Sequence, residues 1–181
     1  ETYTLEHDHT SDLVQGLVRR VMANPGIKLY LNCEVEKVKG HIGNFTLAIS
    51  AKETGNGKGT ELSCGAIVVA TGAEPAMTRE YLYGATDNIL TQLELEDQLH
   101  EDRFSPDANT IVMIQCVGSR NREAPYCSRI CCSMAVKNAL RIKKKNPDAR
   151  IYILYRDIRT YGFREKYYRQ ARNAGIVFLD E

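Results

Sequence analysis

The chain has 181 residues, of which 43% are hydrophobic, and this is enough for one large domain or two small ones. Its 24 Lys and Arg residues nearly balance 23 Asp and Glu residues, which excludes a global electrostatic footprint for nucleic acid. No apolar run approaches the ~20 residues that a membrane span needs, so we expect no direct membrane span.

Both ends of the sequence are atypical of a complete protein. Residues 1–10 lack the basic and apolar regions of a secretion signal and do not begin with Met. The other end directly follows a strand-like apolar run at residues 176–179. We interpret the chain as an excised piece of a longer cytoplasmic protein, one that is peripheral to a membrane, if at all, through its partners.

The first half of the chain predicts one helix and an antiparallel meander. Apolar residues recur at helical spacing over residues 10–21, after a Thr-Ser-Asp start and before Asn-Pro-Gly. Residues 27–38, 45–49 and 61–64 are rich in β-formers, and a Gly-rich turn at residues 54–60 separates the last two. Exposed connections of this kind are typical of antiparallel strands.

A different pattern begins at Ala66. Five apolar residues, 66–70, precede Thr71 and Gly72, which predicts a strand buried on both faces of a layered α/β sheet. A short helix is predicted over residues 90–100. Pro106 and its neighbours then break the pattern, so we place a boundary between a first domain, 1–105, and a second, 106–181.

The second domain has a clear alternation of strands and helices. Strands are predicted at 110–115, 150–155 and 176–179, with helices at about 128–145 and 164–174 between them. Such an order favours right-handed crossovers and a parallel sheet. The predicted fold class is therefore α/β, with a Rossmann-like parallel β-α-β-α-β layer in the second domain.

Four of the six cysteines form a compact motif, C-x10-C-x3-C-C, at Cys116, Cys127, Cys131 and Cys132. Cys116 leaves the end of a predicted strand, where open α/β sheets bind ligands. The other three lie around the start of the next predicted helix, whose dipole and free N–H groups favour anions. Four thiolates are the usual ligands of a [4Fe–4S] cluster, so we predict one here.

Other interpretations of these cysteines stay open. Four thiolates also suit tetrahedral zinc, although adjacent cysteines are awkward for the usual paired knuckles. Buried or incidental cysteines are a further alternative, and so is a thiol/disulfide centre, although no C-x-x-C is present. Cys33 and Cys64 lie on predicted strands and are interpreted as packing residues.

Three segments together resemble a known family. Cys-Val-Gly-Ser-Arg at 116–120, Tyr-Cys-Ser-x-x-Cys-Cys at 126–132 and Asp-Ile-Arg-Thr-Tyr-Gly at 157–162 are similar to the A subunit of heterodisulfide reductase. The resemblance extends to its bacterial relatives, including the flavoprotein subunit of the quinone-interacting membrane-bound oxidoreductase. It runs from about Ala66 to the C-terminus, and weakly through the preceding strands.

The resemblance implies a thioredoxin-reductase-like oxidoreductase that contains FAD and a [4Fe–4S] cluster on the four cysteines. It implies electron transfer from flavin to cluster and on to other subunits of a heterodisulfide-reductase-like or quinone-interacting complex. On this basis the first domain is part of an FAD-binding domain. Ala70, Thr71 and Gly72 would form its second fingerprint, and the backbone of Glu34 and Val35 would face the adenine.

Two other functions compete with this one. An NAD(P)H-dependent flavin disulfide reductase would use Arg156 to bind the nucleotide, but Cys116 and Val117 occupy the place of the expected glycine fingerprint. A non-enzymatic, zinc-stabilised interaction domain is the second alternative. Arg156 and Arg159 suit either solvated loop positions or a role near flavin or a partner, whereas Tyr126 and Tyr161 are predicted to pack.

Overall fold

A computed structural model describes residues 4–6, 9–51, 59–105 and 109–180. The chain divides into two compact units: one comprises residues 17–75, and the other comprises residues 1–16 together with 76–181. The predicted boundary at residues 105 and 106 falls inside the second unit. As a division between an FAD-binding and a Rossmann-like domain, it stays a prediction.

The predicted N-terminal helix is confirmed as α1 (Thr10–Ala23), but no residue of α1 is buried. Its apolar side chains at Leu13, Val14, Leu17 and Val18 are each about half exposed. The helical spacing of apolar residues thus predicts the helix correctly. Burial of its apolar face depends on another element of the fold that packs against it.

The meander consists of β1 (Cys33–His41), β2 (Asn44–Ala51) and β3 (Thr60–Cys64), which pair antiparallel in that order. A bulge shifts the register of β1 between Val35 and Lys37. At the turn from β1 to β2, Gly40 has a φ of 96°, and a Cβ there would lie 2.0 Å from the Asn44 carbonyl oxygen. Only glycine fits this close approach. Most of the predicted turn at 54–60 lies outside the described residues.

Two strand predictions in this unit are wrong in part or in full. Residues 27–32 are not in a strand, so β1 begins later than expected. Residues 66–70 form no strand, and Val68 and Val69 are 88% and 79% exposed. A strand buried on both faces needs hydrogen-bonded neighbours and two covering layers, and no described strand pairs with this run.

The second unit contains the predicted layer. Its elements are α2 (Gln92–His100), β4 (Thr110–Ile114), α3 (Cys131–Lys145), β5 (Arg150–Tyr155), α4 (Glu165–Asn173) and β6 (Val177–Asp180). The sheet order is β4-β5-β6, and both pairs are parallel. The predicted α/β class, with an antiparallel meander and a parallel β-α-β-α-β series, is confirmed.

Helix α3 lies at the centre of this unit. Its residues from Cys132 to Leu140 are all buried, as are Ile151 and Ile153 of β5. Lys137 of α3 forms a buried ion pair with Glu96 of α2, with 3.0 Å between Nζ and Oε2. Packing on several sides therefore holds α3, and the loop that enters it, in one position.

No helix in the described part of the chain is long and apolar enough to cross a membrane.

Candidate functional site

The cysteine motif lies where β4 and β5 end. The Gln115 amide donates to the Leu154 carbonyl at 2.9 Å, which continues the pairing one residue beyond β4. The backbone then turns sharply, because Cys116 has a φ of 61°. Cys116 therefore follows the carboxyl end of the first parallel strand, as predicted, at the edge where sheets of this type bind ligands.

Local hydrogen bonds fold the loop that follows. The Ser119 amide donates to the Cys116 carbonyl at 3.0 Å, and Gly118 between them has a positive φ. The Asn121 side-chain oxygen accepts from the amides of Glu123 and Ala124 at 3.0 and 2.7 Å. Asparagine is suited to this because its short side chain mimics a backbone turn.

Left-handed backbone recurs in this loop at positions that are not glycine. Cys116, Arg120 and Arg129 have φ values of 61°, 57° and 60°. Each such residue costs about 1–3 kcal/mol, and strain of this kind concentrates at functional sites.

Cys127 lies in a tight turn before α3. Its Sγ accepts a hydrogen bond from the Arg129 amide at 3.3 Å, and the Ser128 hydroxyl oxygen accepts from the Ile130 amide at 3.4 Å. Helix α3 then begins at Cys131, three residues later than predicted. The positive φ of Arg129 explains the later start, because a left-handed residue cannot continue a right-handed helix.

Cys131 and Cys132 interact directly. A hydrogen bond from the Cys132 thiol is the main reason that the pKa of Cys131 falls to about 6, and hydrogen bonds with Ser128 and with the Cys116 and Cys132 backbones add to it against the effect of burial. The pKa of Cys132 is raised, first by this hydrogen bond and then by burial. The pair therefore favours a Cys131 thiolate beside a protonated Cys132. The thiolate is the form of cysteine that binds metals.

The loop after β5 meets the cysteine loop through charged contacts. Asp157 Oδ2 is 2.9 Å from Arg159 Nε and 3.5 Å from an Arg120 guanidinium nitrogen. Arg156 donates to the Arg120 carbonyl at 2.9 Å. The Cys132 Sγ lies 4.0 Å from the Asp157 carbonyl oxygen. Arg159 also has a raised pKa, chiefly through Asp157 and in smaller part through Cys127.

The four cysteines lie in the loop after β4 and at the start of α3, and the loop after β5 contacts them. They do not form a preformed metal site. Cys131 and Cys132 touch, and Cys116 is near enough to influence the pKa of both. Cys127 instead faces the Arg129 amide. Among the described residues, no three His, Cys, Asp or Glu side chains are grouped as a metal would require. Ligand cysteines often reach their final positions only when metal binds.

Gln115 is the residue that the sequence prediction missed. It is 4% exposed, and both polar atoms of its side-chain amide are buried without a hydrogen-bond partner. Gln115 lies two positions after Met113, which is 3% exposed and belongs to the core that α3 helps to form. Alternation along a strand places both side chains on this face, at the end where α3 begins. The signal in the sequence that could have identified it is a polar residue at the end of an apolar strand.

A buried amide without a partner, next in sequence to Cys116, fits an anionic group that the chain itself does not supply. Orphaned polar atoms of this kind are rare, since each costs about 1–3 kcal/mol. Four sulfur ligands match the coordination of an iron–sulfur cubane. The donor set and its surroundings thus fit the predicted cluster in chemistry, while the four thiols are not grouped in the structure as a metal would require.

The predicted flavin residues lie in the unit 17–75. Glu34 and Val35 are exposed residues of β1, opposite Ser50 and Ile49 of β2. Ala70, Thr71 and Gly72 are exposed and outside any strand, and Gly72 has a φ of 73°. Gly72 therefore has a left-handed backbone, but neither a hydrogen-bonded turn nor the strand expected to lead into it is seen at these residues.

Two further side chains depart from expectation. Tyr126 and Tyr161 were predicted to pack, but they are 71% and 62% exposed. Both lie in loops at the sheet edge, where no element covers them. Cys33 and Cys64, predicted as packing residues, are half-buried on β1 and β3.

No family model matches the chain, but several known proteins do. The chain is 37% identical to the A subunit of the ferredoxin:CoB-CoM heterodisulfide reductase of Methanosarcina acetivorans, over 66% of this chain and 20% of the relative. It is 41% identical to the iron-sulfur A subunit of the CoB–CoM heterodisulfide reductase of Methanocaldococcus jannaschii, over 66% of this chain and 21% of the relative.

A third relative supports the same assignment. The A subunit of the H2/formate:CoB-CoM heterodisulfide, ferredoxin reductase of Methanococcus maripaludis is 40% identical over 65% of this chain. The chain spans about a fifth of the length of these relatives. The resemblance predicted from the cysteine motif is confirmed, and the chain is a relative of the heterodisulfide reductase A subunit.

Proposed function

We propose that Cys116, Cys127, Cys131 and Cys132 hold a [4Fe–4S] cluster. The intact protein would be an oxidoreductase that also binds FAD and passes electrons between flavin and cluster. Its partners would be other subunits of a heterodisulfide-reductase-like or quinone-interacting complex, and its location cytoplasmic. When bound, the flavin supplies two-electron chemistry and the cluster one-electron transfer.

One observation carries the proposal: the loops after β4 and β5 meet, and three of the four cysteines interact there. A relative at 41% identity is named an iron-sulfur subunit, which supports the same chemistry. The chain spans a fifth of that relative, so flavin binding, complex formation and the overall reaction are inferred for the whole protein.

The residues of the chain have distinct roles in this proposal. The four cysteines supply sulfur ligands, and the N-terminal amides of α3 face the anionic group. Arg120 pairs with Asp157, and Arg156 donates to the Arg120 carbonyl, so two contacts connect the second loop to the first. The left-handed residues at Cys116 and Arg129 turn the backbone next to the cysteines at both ends of the loop.

For flavin, the proposal places Ala70, Thr71 and Gly72 at the dinucleotide, with Glu34 and Val35 at its adenine. Support comes from Gly72, which has a positive φ, no Cβ and open space around it, so the backbone there is free to approach a ligand closely.

The test is cysteine replacement in the full-length protein, purified without oxygen. Cys127→Ser and Cys131→Ser are expected to remove most of the absorbance near ~400 nm and most of the bound iron. Flavin content should stay the same, since its contacts come from another unit. Cys33→Ser and Cys64→Ser are the matched controls and should retain the iron.

Two results would contradict the proposal. One is a wild-type protein with one zinc and no iron or acid-labile sulfide, which would favour the zinc-stabilised domain. The other is wild-type electron transfer to partner subunits in Cys127→Ser, which would take the cluster off the pathway. The NAD(P)H alternative gains no support here, because Arg156 is engaged with the Arg120 carbonyl.

A further inference from the structure

Buried polar atoms without partners are concentrated in the cysteine loop. In the described part of the chain, five buried side-chain nitrogen and oxygen atoms have no hydrogen-bond partner, and three of them belong to Gln115 and Arg120. The other two are single atoms of Tyr30 and Asn138. Because such atoms are rare in folded proteins, three of them within residues 115–120 indicate a common cause at this site.

Gln115 is the residue most affected. It is 4% exposed, and neither the nitrogen nor the oxygen of its side-chain amide has a partner. At Asn138, by contrast, the amide nitrogen donates to the backbone and side-chain oxygens of Gln92 at 3.0 and 2.9 Å, so only the oxygen lacks a partner. Burial of both atoms of an amide is unfavourable unless a group from outside the chain bonds to them.

The sheet places Gln115 on the face that α3 covers. Met113 pairs with Ile153 of β5, and both belong to the buried core that α3 helps to form. The Gln115 amide continues this pairing at the Leu154 carbonyl. Side chains two positions apart lie on the same face of a strand. Gln115 therefore lies on the covered face, at the carboxyl end of the first strand.

Helix α3 begins at this end of the sheet. Because α3 connects two parallel strands, its first residues follow the carboxyl end of β4, and it runs back towards the start of β5. Those first residues are Cys131 and Cys132, and Cys132 is 3% exposed. Cys131 also forms a hydrogen bond with the backbone of Cys116, the residue after Gln115. The buried amide and the proposed sulfur ligands are therefore at the same end of the sheet.

From these observations we infer that the side-chain amide of Gln115 donates a hydrogen bond to a sulfur atom of the bound cluster and so stabilises the reduced cluster. This inference deepens the proposed function and rests on it. Sulfide and thiolate accept hydrogen bonds and do not donate them, so the Nε2 end of the amide faces the cluster. Reduction adds one electron, with no covalent bond made or broken and no proton transferred. It makes the sulfurs more negative, which strengthens the bond.

Arg120 fits this role less well than Gln115. Its nitrogen that lacks a hydrogen bond is still only 3.5 Å from the Asp157 carboxylate, which neutralises part of its charge. Gln115 has no competing partner in the described structure. A buried water molecule is the other group that would satisfy this amide, and it would do so without affecting the cluster. The experiment therefore has to detect the contact between the amide and the cluster itself.

The experiment uses the full-length protein, purified without oxygen and reduced so that its cluster has an unpaired spin. Glutamine side chains are labelled with a heavy nitrogen isotope, and pulsed electron paramagnetic resonance detects labelled nitrogens that couple to this spin. The variants are Gln115→Leu and Gln115→Met, of which the second keeps nearly the length of the original side chain. Gln170→Leu is the matched control, because Gln170 is an exposed glutamine of α4.

The wild-type spectrum should contain a glutamine-nitrogen coupling that is lost in both Gln115 variants and retained in Gln170→Leu. At a fixed solution potential, the ratio of reduced to oxidised cluster should fall about three- to tenfold in the Gln115 variants, which is the equilibrium effect of one hydrogen bond. Gln170→Leu should have the wild-type ratio. All of these proteins should contain the same amount of iron, because Gln115 is not an iron ligand.

Three outcomes would overturn the inference and leave the proposed function intact. One is an iron-loaded wild-type protein in which no glutamine nitrogen couples to the cluster, which would assign the buried amide to water. Another is a wild-type ratio of reduced to oxidised cluster in both Gln115 variants. The third is loss of the coupling in Gln170→Leu, which would assign the signal to a different glutamine. Wild-type protein without iron would instead refute the proposed function on which the inference rests.

Discussion

The two units of the chain use similar apolar patterns with opposite results. In the unit of residues 1–16 and 76–181, here called the parallel unit, Ile151 and Ile153 of β5 are at most 1% exposed, because α3 covers that face of the sheet. In the unit 17–75, Ile49 is the one buried hydrophobic residue among those described, and Val38 of β1 is half exposed. The alternation that predicts a strand therefore does not ensure burial. A covering layer must come from elsewhere in the fold.

This difference in burial indicates that the parallel unit contributes most of the stability of the chain and supports the geometry of the cysteine loop. The cysteine loop lies between a strand and a helix that are both packed, so the two ends of the loop backbone are held in place. The predicted flavin residues lack that support, since residues 66–72 are exposed and unpaired in the described structure. Substitutions in each unit can establish whether the two differ as much in energy as in burial.

The largest effect is expected at the buried ion pair of the parallel unit. Lys137 and Glu96 are 2% and 1% exposed, and Lys137→Met would remove the cation that lies 3.0 Å from the buried Glu96 carboxylate. The free energy of unfolding should fall by about 3–5 kcal/mol. Urea-induced unfolding of the chain measures this.

The control is the double variant Lys137→Met with Glu96→Leu. It should recover most of the lost stability, because an apolar pair of similar volume removes both charges from the core. If the single variant unfolds with the wild-type midpoint, α2 does not belong energetically to the parallel unit. The predicted boundary at residues 105 and 106 would then describe the folding units better than burial does.

A matched pair of isoleucines compares the two units directly. Ile153→Ala empties a site that is 0% exposed and should cost about 2–5 kcal/mol, through lost burial and the cavity left behind. Ile42→Ala, in the β1–β2 turn, alters a side chain that is 87% exposed and should change stability by no more than ~0.5 kcal/mol. Equal losses would show that the meander has a core that its exposure does not reveal.

Gln115 gives a smaller effect that links stability to the proposed cluster. In cluster-free protein, Gln115→Leu should raise the free energy of unfolding by about 1 kcal/mol, because it removes a buried amide without partners. In cluster-loaded protein, the same change should lower the reduction potential, since hydrogen bonds to sulfur stabilise the more negative, reduced state.

The outcome of the Gln115 test has two independent parts. Redox titration followed by absorbance gives the potential, and urea unfolding gives the stability. Gln115→Glu is the informative companion, because a buried carboxylate should destabilise the cluster-free protein. An unchanged potential in Gln115→Leu would mean that the amide does not face the cluster.

Sequence reasoning predicted the parallel unit well. Each of its strands and helices has its own periodicity, and β5 has the predicted bounds, Arg150–Tyr155. The placement of Cys116 follows from the same local pattern. In contrast, the exposure of residues 66–70 depends on which neighbours are present, and no local pattern contains that information.

Within the candidate site, the contacts between the two loops could not be predicted from local patterns. Asp157 meets Arg120 across 37 positions of sequence, a contact that only the folded sheet creates. Gln115 ends a predicted strand, where an amide is usually solvated, whereas in the structure its side chain is buried. Tyr126 and Tyr161 were expected to pack because of their residue type, but they lie at an uncovered edge.

The smallest effect is expected from a capping box at α2, where the pH dependence has a defined sign. The Thr91 amide donates to Glu94 Oε2 at 2.6 Å, and the Glu94 amide donates to the Thr91 hydroxyl oxygen at 3.2 Å. The bond from the Thr91 amide is the main reason that the pKa of Glu94 is lowered from its ordinary 4.5, and the Tyr83 hydroxyl, 2.8 Å away, contributes as well.

A depressed pKa means that the folded state favours the carboxylate. Its contribution to stability is therefore present above pH 4.5 and is lost as the pH falls through the folded value. Glu94→Gln should flatten this part of the stability curve. Thermal unfolding between about pH 3 and 6 provides the measurement. A wild-type slope in Glu94→Gln would show that the carboxylate of this exposed residue is not held in the folded protein as it is in the structure.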